Sequence, residues 1–134
     1  MKILLDTLIL VWYFAADEKL SQQARKLIAN GENEIYFSAL AIFEIDLKHA
    51  NHPDVMPFDG NGMLEYCRQA DFKELPLNVK HTLAVKNLTR KENTPPHRDP
   101  FDRIMIAQAI VESMIFITHD MRIAEYVCPL IYKI

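Results

Sequence analysis

The stretch from His97 to Asp120 leaves this chain the fewest options. It begins with Asp99-Pro100-Phe101-Asp102, a helix-start signal: Asp99 can accept backbone N–H bonds as the N-cap, and proline suits the first helical position. Asp102 follows in the first turn, where the helix dipole favours negative charge. From Ile104 to Met114 the side chains are mostly apolar, as expected of a helix laid against a sheet. Ile115-Phe116-Ile117 then reads as a short strand buried on both faces, with Thr118 and Asp120 at its carboxyl end. A helix followed by such a strand calls for more strands beside it, and the rest of the chain supplies them.

Lys2-Ile3-Leu4-Leu5 is a hydrophobic strand that ends at Asp6-Thr7. Leu8 to Ala16 reads as a helix, and Ser21 caps another that reaches Asn30, with Gly31 closing it. Glu34-Ile35-Tyr36-Phe37 is a second strand, and Ser38 caps a helix over Ala39 to Lys48. Residues 51–62, with Pro53, Pro57, Gly60 and Gly62, read as one long loop. A short helix over Met63 to Ala70, a strand at Phe72 to Leu75 and a helix over Val79 to Leu88 follow. Thr89 to Arg98 is a polar, basic connection. After Asp120 a short helix runs through Tyr126, and the chain ends in an apolar strand at Leu130-Ile131-Tyr132. Strands alternating with helices predict a three-layer α/β/α domain with a mainly parallel central sheet, a single domain over residues 1–134.

Composition narrows the function classes. Half the residues are hydrophobic, which argues against disorder, and the net charge of −3 gives no global basic field for nucleic acid. Cys67 and Cys128 lack metal-site spacing and read as reduced thiols of a cytoplasmic protein. Asp6 interrupts the only stretch resembling a signal peptide, and no segment has the length of a membrane span.

In a parallel sheet, Asp6 and Asp120 would share the carboxyl edge, with Asp102 at the start of a helix and Glu44 two turns into another. Gathered carboxylates repel one another, and a bound cation or a proton relieves them. An all-oxygen set suits Mg²⁺ or Mn²⁺, the ions of phosphodiester hydrolysis. Spacing alone leaves convergence of the four open. Glu44 and Lys48 also satisfy a surface i, i+4 pair, and Asp46, two residues from Glu44, points elsewhere and reads as solvated. Arg103 is divided between phosphate and Asp99; Arg90, Lys91, His97 and Arg98 between a phosphate track and a solvated loop. His49 and His52 lack partners at zinc spacing, and His119 should point away from the edge.

Four segments occur in order: Leu4-Leu5-Asp6-Thr7; Ser38-Ala39 with Glu44-Ile45 and Lys48; His97-Arg98-Asp99-Pro100-Phe101-Asp102-Arg103 with Ile106-Ala107-Gln108-Ala109; and Thr118-His119-Asp120. Together they resemble the PIN-domain family over essentially the whole chain, specifically the VapC-type toxin ribonucleases of type II toxin–antitoxin systems. The resemblance implies a Mg²⁺- or Mn²⁺-dependent endoribonuclease, with Asp6, Glu44, Asp102 and Asp120 as catalytic and metal-holding residues. Thr7 and Thr118 would orient carboxylates or water, and Asp99 and Arg103 would flank the site. It further implies an RNA substrate, a cognate antitoxin, a homodimer, and contact with DNA only through the antitoxin. The first helices, including Trp12, offer an apolar surface for an antitoxin peptide or a second copy.

One departure stands at Leu8, where relatives commonly carry His or Asn. It favours the alternative of a catalytically weak binding or regulatory module acting through an antitoxin complex on operator DNA. A phosphotransfer receiver domain ranks last: the first strand offers only Asp6, and no strand in the middle of the chain ends in an acceptor Asp.

Overall fold

A computed structural model describes all 134 residues. The elements are β1 (Lys2–Leu5), α1 (Thr7–Phe14), α2 (Gln22–Ala29), β2 (Glu34–Ser38), α3 (Ala39–Asn51), α4 (Gly60–Gln69), β3 (Lys73–Leu75) and α5 (Val79–Ala84). They continue with a 3₁₀ turn at Val85–Asn87, α6 (Pro100–Val111), β4 (Ile115–Thr118), α7 (Met121–Ala124) and β5 (Ile131–Lys133). The five strands form one sheet in the order β3-β2-β1-β4-β5. Every pairing is parallel, so the expected mainly parallel sheet is wholly so.

Topology follows from that order. The chain steps outward from β1 to β2 and β3, then returns past β1 to lay down β4 and β5. Parallel crossovers are right-handed, so runs in opposite directions put their helices on opposite faces, giving the α/β/α layers. The reversal falls between β1 and β4, where Leu5 is paired with Ile117 and Asp6 N–H donates to Ile117 O at 3.0 Å. Adjacent strands that diverge into helices on opposite faces leave a crevice beyond their carboxyl ends.

Ile3, Leu4 and Leu5 of β1 and Phe116 and Ile117 of β4 are fully buried, as a strand covered on both sides requires. On α6, Met105 to Ala109 form a continuous buried run, with Gln108 the polar member. The Ser38 hydroxyl donates to Gln108 Oε1 at 2.7 Å, and Gln108 Nε2 donates to Pro76 O at 3.3 Å. Ser38 also accepts from Leu40 N–H, so one hydroxyl both caps α3 and ties it to α6. No helix is long and apolar enough to cross a membrane.

The long loop is shorter than the sequence indicates, because α3 continues to Asn51 and α4 begins at Gly60. Asp59 caps α4 through Gly62 N–H, and Asp46 accepts from Gly60 N–H at 2.8 Å. Asp46, expected to be merely solvated, therefore pins the start of α4. A Cβ at Gly60 would lie 3.0 Å from Asp46 Cβ, so this close approach calls for glycine.

Candidate active site

Three of the helices that open onto the carboxyl edge begin with an aspartate. Asp6 caps α1, Asp99 caps α6 and Asp120 caps α7. Asp102 sits in the first turn of α6 and Glu44 in the middle of α3. The sheet order brings all five carboxylates, with Thr7, to one cavity of about 110 Å³. Its other walls are Leu8, Lys48 and Arg122. At roughly 30 Å³ per water, that is room for an ion with a few waters.

Asp6 is almost fully buried. Its Oδ1 accepts from Thr7 N–H at 2.8 Å, and its Oδ2 accepts from the Thr118 hydroxyl at 2.7 Å. The same Thr118 oxygen accepts from Asp120 N–H at 3.0 Å, so this residue links two acids from adjacent strand ends. Thr7 sends its own hydroxyl toward Met105 Sδ and contributes its backbone N–H to Asp6. Burial pushes Asp6 up to about 6 against these hydrogen bonds, with Glu44 and Asp120 adding repulsion.

Asp102 is pushed further, to about 8, by burial first and then by Asp6, Asp99, Glu44 and Asp120. Its Oδ2 meets His97 Nε2 at 3.2 Å. Burial, with the Arg122 and Arg90 cations, lowers His97 below its ordinary value and favours the neutral ring. Asp120 behaves oppositely. Burial raises it, but hydrogen bonds from the Arg122 guanidinium and backbone, together with that charge, outweigh burial and leave it below the usual carboxylate value.

Glu44 carries the least satisfied atom. Its Oε2 pairs with Lys48 at 3.3 Å, while its Oε1 is buried with no hydrogen-bond partner. A buried carboxylate oxygen without a donor is expensive and marks a place where a cation fits. In this geometry no three His, Cys, Asp or Glu side chains are arranged to hold a metal ion. Asp6 and Asp120 spend both oxygens on protein donors, Asp102 uses only Oδ2, and Glu44 keeps the one oxygen that is both buried and unpartnered. The donor set is hard oxygen throughout, as Mg²⁺ or Mn²⁺ requires, and side-chain rotation would be needed to close a shell around either.

The neighbouring residues sort as follows. Asp99 is exposed at the rim and accepts from Phe101 and Asp102 N–H, which is the cap expected of it. Arg103 does not pair with Asp99: its guanidinium donates to His97 O at 3.1 Å and reaches Tyr126 Oη at 3.4 Å. Arg90 is likewise internal. It bonds to Pro95 O, Arg122 O and Glu125 and lies over the Tyr126 ring, so with buried His97 it leaves only Lys91 and Arg98 of the basic stretch exposed. His119 faces away, onto Trp12 and Ile134 O. His49 bonds to Met56 O and takes part in no metal cluster.

Sequence reading missed two participants, Arg122 and the contact of His97 with Asp102. The spacing Asp120-x-Arg122 at a helix start was the available signal for the first. The second had none, because a turn folds back across the cap to make it. Beside the acidic cavity, sharing Leu8 and Lys48, lies a larger cleft of about 570 Å³ walled by Trp12, Val11, Val55 and Pro57.

Comparison with known proteins bears on this site. The family model described as PIN domain matches residues 3–127. Among solved structures, a chain in the crystal structure of VapBC2 from Rickettsia felis bound to a promoter DNA fragment is similar, with a TM-score of 0.69 and 15% identity. That match covers 100% of this chain and 98% of the other. A chain of DNA-bound VapBC from Salmonella typhimurium is similar with a TM-score of 0.62 and 15% identity, over 100% and 97% of the two chains. No curated protein sequence matches.

Proposed function

Because this chain belongs to the PIN domain family, we propose that it is a metal-dependent endoribonuclease, the toxin of a toxin–antitoxin pair. The observation that carries the reading is Glu44 Oε1, buried and without a partner in a cavity walled by five carboxylates. Asp6, Glu44, Asp102 and Asp120 would hold Mg²⁺ or Mn²⁺. When bound, such an ion supplies a water of lowered pKa and positive charge for the phosphodiester undergoing attack.

The chain's own residues perform the rest. The Thr118 hydroxyl and Thr7 N–H fix the carboxyl plane of Asp6. Lys48 and Arg122, at the cavity wall and paired with Glu44 and Asp120, are the cations that would meet phosphate oxygens of a bound RNA. Leu8 contributes no polar group at the rim, so the burden of orienting Asp6 falls on Thr118 and Thr7.

The cleft beside the site, with its apolar wall of Trp12, Val55 and Pro57, suits an antitoxin peptide that would block access to the acids. Contact with DNA would come through that partner, since the chain's net charge is −3 and Arg90 is engaged internally. A homodimer has candidate surface in the exposed Val79 and Leu83 of α5, and sedimentation would test it.

The test is cleavage of a mixed RNA pool by the full chain, free of antitoxin, in Mg²⁺ or Mn²⁺. EDTA and Asp6→Asn serve as controls. Cutting that requires both the metal and Asp6 supports the nuclease. The exposed Leu8 at the cavity favours a second reading, a weakly catalytic module acting through an antitoxin complex on operator DNA. Folded protein that cuts no RNA until Leu8→His or Leu8→Asn is introduced would establish that alternative.

A further inference from the structure

Asp102 differs from Asp6 and Asp120 in what supports it. Asp6 and Asp120 each accept from a backbone N–H, fixed by the start of a helix. The one hydrogen-bond contact of the Asp102 carboxylate is His97 Nε2, at 3.2 Å. His97 is buried, and its other ring nitrogen meets Tyr126 Oη at 2.9 Å.

Tyr126 Oη lies 2.9 Å from His97 Nδ1 and 3.4 Å from His97 O, so its proton can go to either. Arg103, a donor only, reaches both Tyr126 Oη and His97 O. An ionised Asp102 needs a donor on Nε2, and Tyr126 O–H donating to His97 Nδ1 supplies the tautomer that leaves the ring proton there, pointing at Asp102 Oδ2. Arg90 stacks over the Tyr126 ring at 4.6 Å and pairs with Glu125 at 2.8 Å, fixing the phenol from outside. The phenol is also in edge contact with the imidazole, their centroids 5.5 Å apart. A tautomer pinned on one nitrogen is how an imidazole imposes direction on a carboxylate.

We propose that His97, held by Tyr126 and Arg103, is a positioning residue that engages Asp102 Oδ2 and thereby presents Oδ1 to the cation. The inference rests on the metal-dependent reading of the site and names one residue that reading leaves out. His97 touches neither substrate nor ion, and it acts through Asp102.

Mn²⁺ alone is the probe, titrated into the full chain by calorimetry and by electron paramagnetic resonance, with RNA cleavage measured in parallel. His97→Ala is expected to weaken Mn²⁺ binding by about 10- to 100-fold, the usual effect of removing a group that orients a metal ligand. His97→Gln, whose amide can donate from near the Nε2 position, should recover most of that loss, and a purely structural role predicts no such rescue. Tyr126→Phe keeps the ring and removes the pin, so it should show a smaller loss of the same kind. It decides the matter if His97→Ala fails to fold. Wild type that binds Mn²⁺ beside His97→Ala or Tyr126→Phe binding it equally would overturn this inference alone. His97→Ala that loses Mn²⁺ without rescue by His97→Gln, while Tyr126→Phe is unaffected, would overturn it too. Wild type that neither binds Mn²⁺ nor cuts RNA would overturn the metal reading and this inference with it.

Discussion

Neutralising Asp102 should make the metal-free chain more stable at alkaline pH and leave it nearly unchanged in acid. The folded protein raises Asp102 from 3.8 to about 8 and Asp6 from 3.8 to about 6. Between those values the folded chain retains protons that the unfolded chain releases, so unfolding becomes easier as pH rises. The penalty is absent below the unfolded value of 3.8 and complete above about 8. At about 1.4 kcal/mol per unit, the two-unit shift of Asp6 alone corresponds to roughly 3 kcal/mol. Asp102 is shifted further but keeps 13% of its side chain open to water, which screens the effect, so a similar figure of about 2–4 kcal/mol is the working value. For a chain of this size that is about 6–12 °C in melting temperature. Asp102→Asn should therefore melt higher than wild type by that margin at pH 8 in EDTA and match it within a few degrees at pH 4. Mg²⁺ at a hundred times its dissociation constant should return about 2.7 kcal/mol to wild type and far less to the variant. Scanning calorimetry across pH reads all of this. A variant no more stable than wild type at pH 8, or equally stabilised at both pH values, would refute the electrostatic argument.

Thr118→Val removes the hydroxyl that joins Asp6 to Asp120 N–H and should lower RNA cleavage by about 10- to 100-fold, with Thr118→Ser close to wild type in the same assay. Arg122→Ala deletes a cation that competes with metal for Asp120, so Mn²⁺ affinity should hold or rise while the KM for RNA increases; a fall in Mn²⁺ affinity counts against that role. Ser38→Ala strips the α3 cap and leaves Gln108 Oε1 buried without its donor, which should cost about 1–3 kcal/mol in urea unfolding.

The sequence exposed the order of elements because each boundary carries a local chemical signal. Asp6, Ser21, Ser38, Asn78, Asp99 and Asp120 each precede a helix, and the apolar runs before or after them are short enough to be strands. Parallel pairing followed from strands buried on both faces, as at Leu4 and Phe116. What local signals do not contain is contact across the fold. Asp46 is legible as a surface acid until α4 is brought beside α3 and its carboxylate meets Gly60 N–H. Arg90 reads as a cation of a phosphate track or a solvated loop, and Arg103 as a partner of phosphate or Asp99, until Tyr126 is seen between them, since the pairing of residues 90 and 126 is a single antiparallel bridge with no periodic trace. The acids were recognisable as a set through the family resemblance, while the reversal of strand order between β1 and β4 is what gathers them physically.

Helix capping and the acidic site draw on the same side chains, and this explains an asymmetry among the acids. An aspartate at an N-cap is stabilised as an anion by backbone N–H groups and the helix dipole, whatever else surrounds it. Asp120 has that support and Arg122 as well, and it ionises more readily than an ordinary aspartate. Asp6 has it too, through Thr7 N–H, and burial raises it only to about 6. Asp102 lies beyond the cap, accepts no backbone N–H, and is raised to about 8. The fold therefore prepares Asp120 as an anion without help, holds Asp6 between, and leaves Asp102 the most dependent on a cation. At neutral pH the proton on Asp102 and a divalent ion compete for the same oxygens, so metal affinity should be governed by Asp102 more than by either capping acid. Asp102→Asn and Asp120→Asn compared in one Mn²⁺ titration across pH would separate the two: the pH dependence of binding between pH 7 and 8 should largely disappear in the first, where only Asp6 near 6 is left to titrate, and survive in the second.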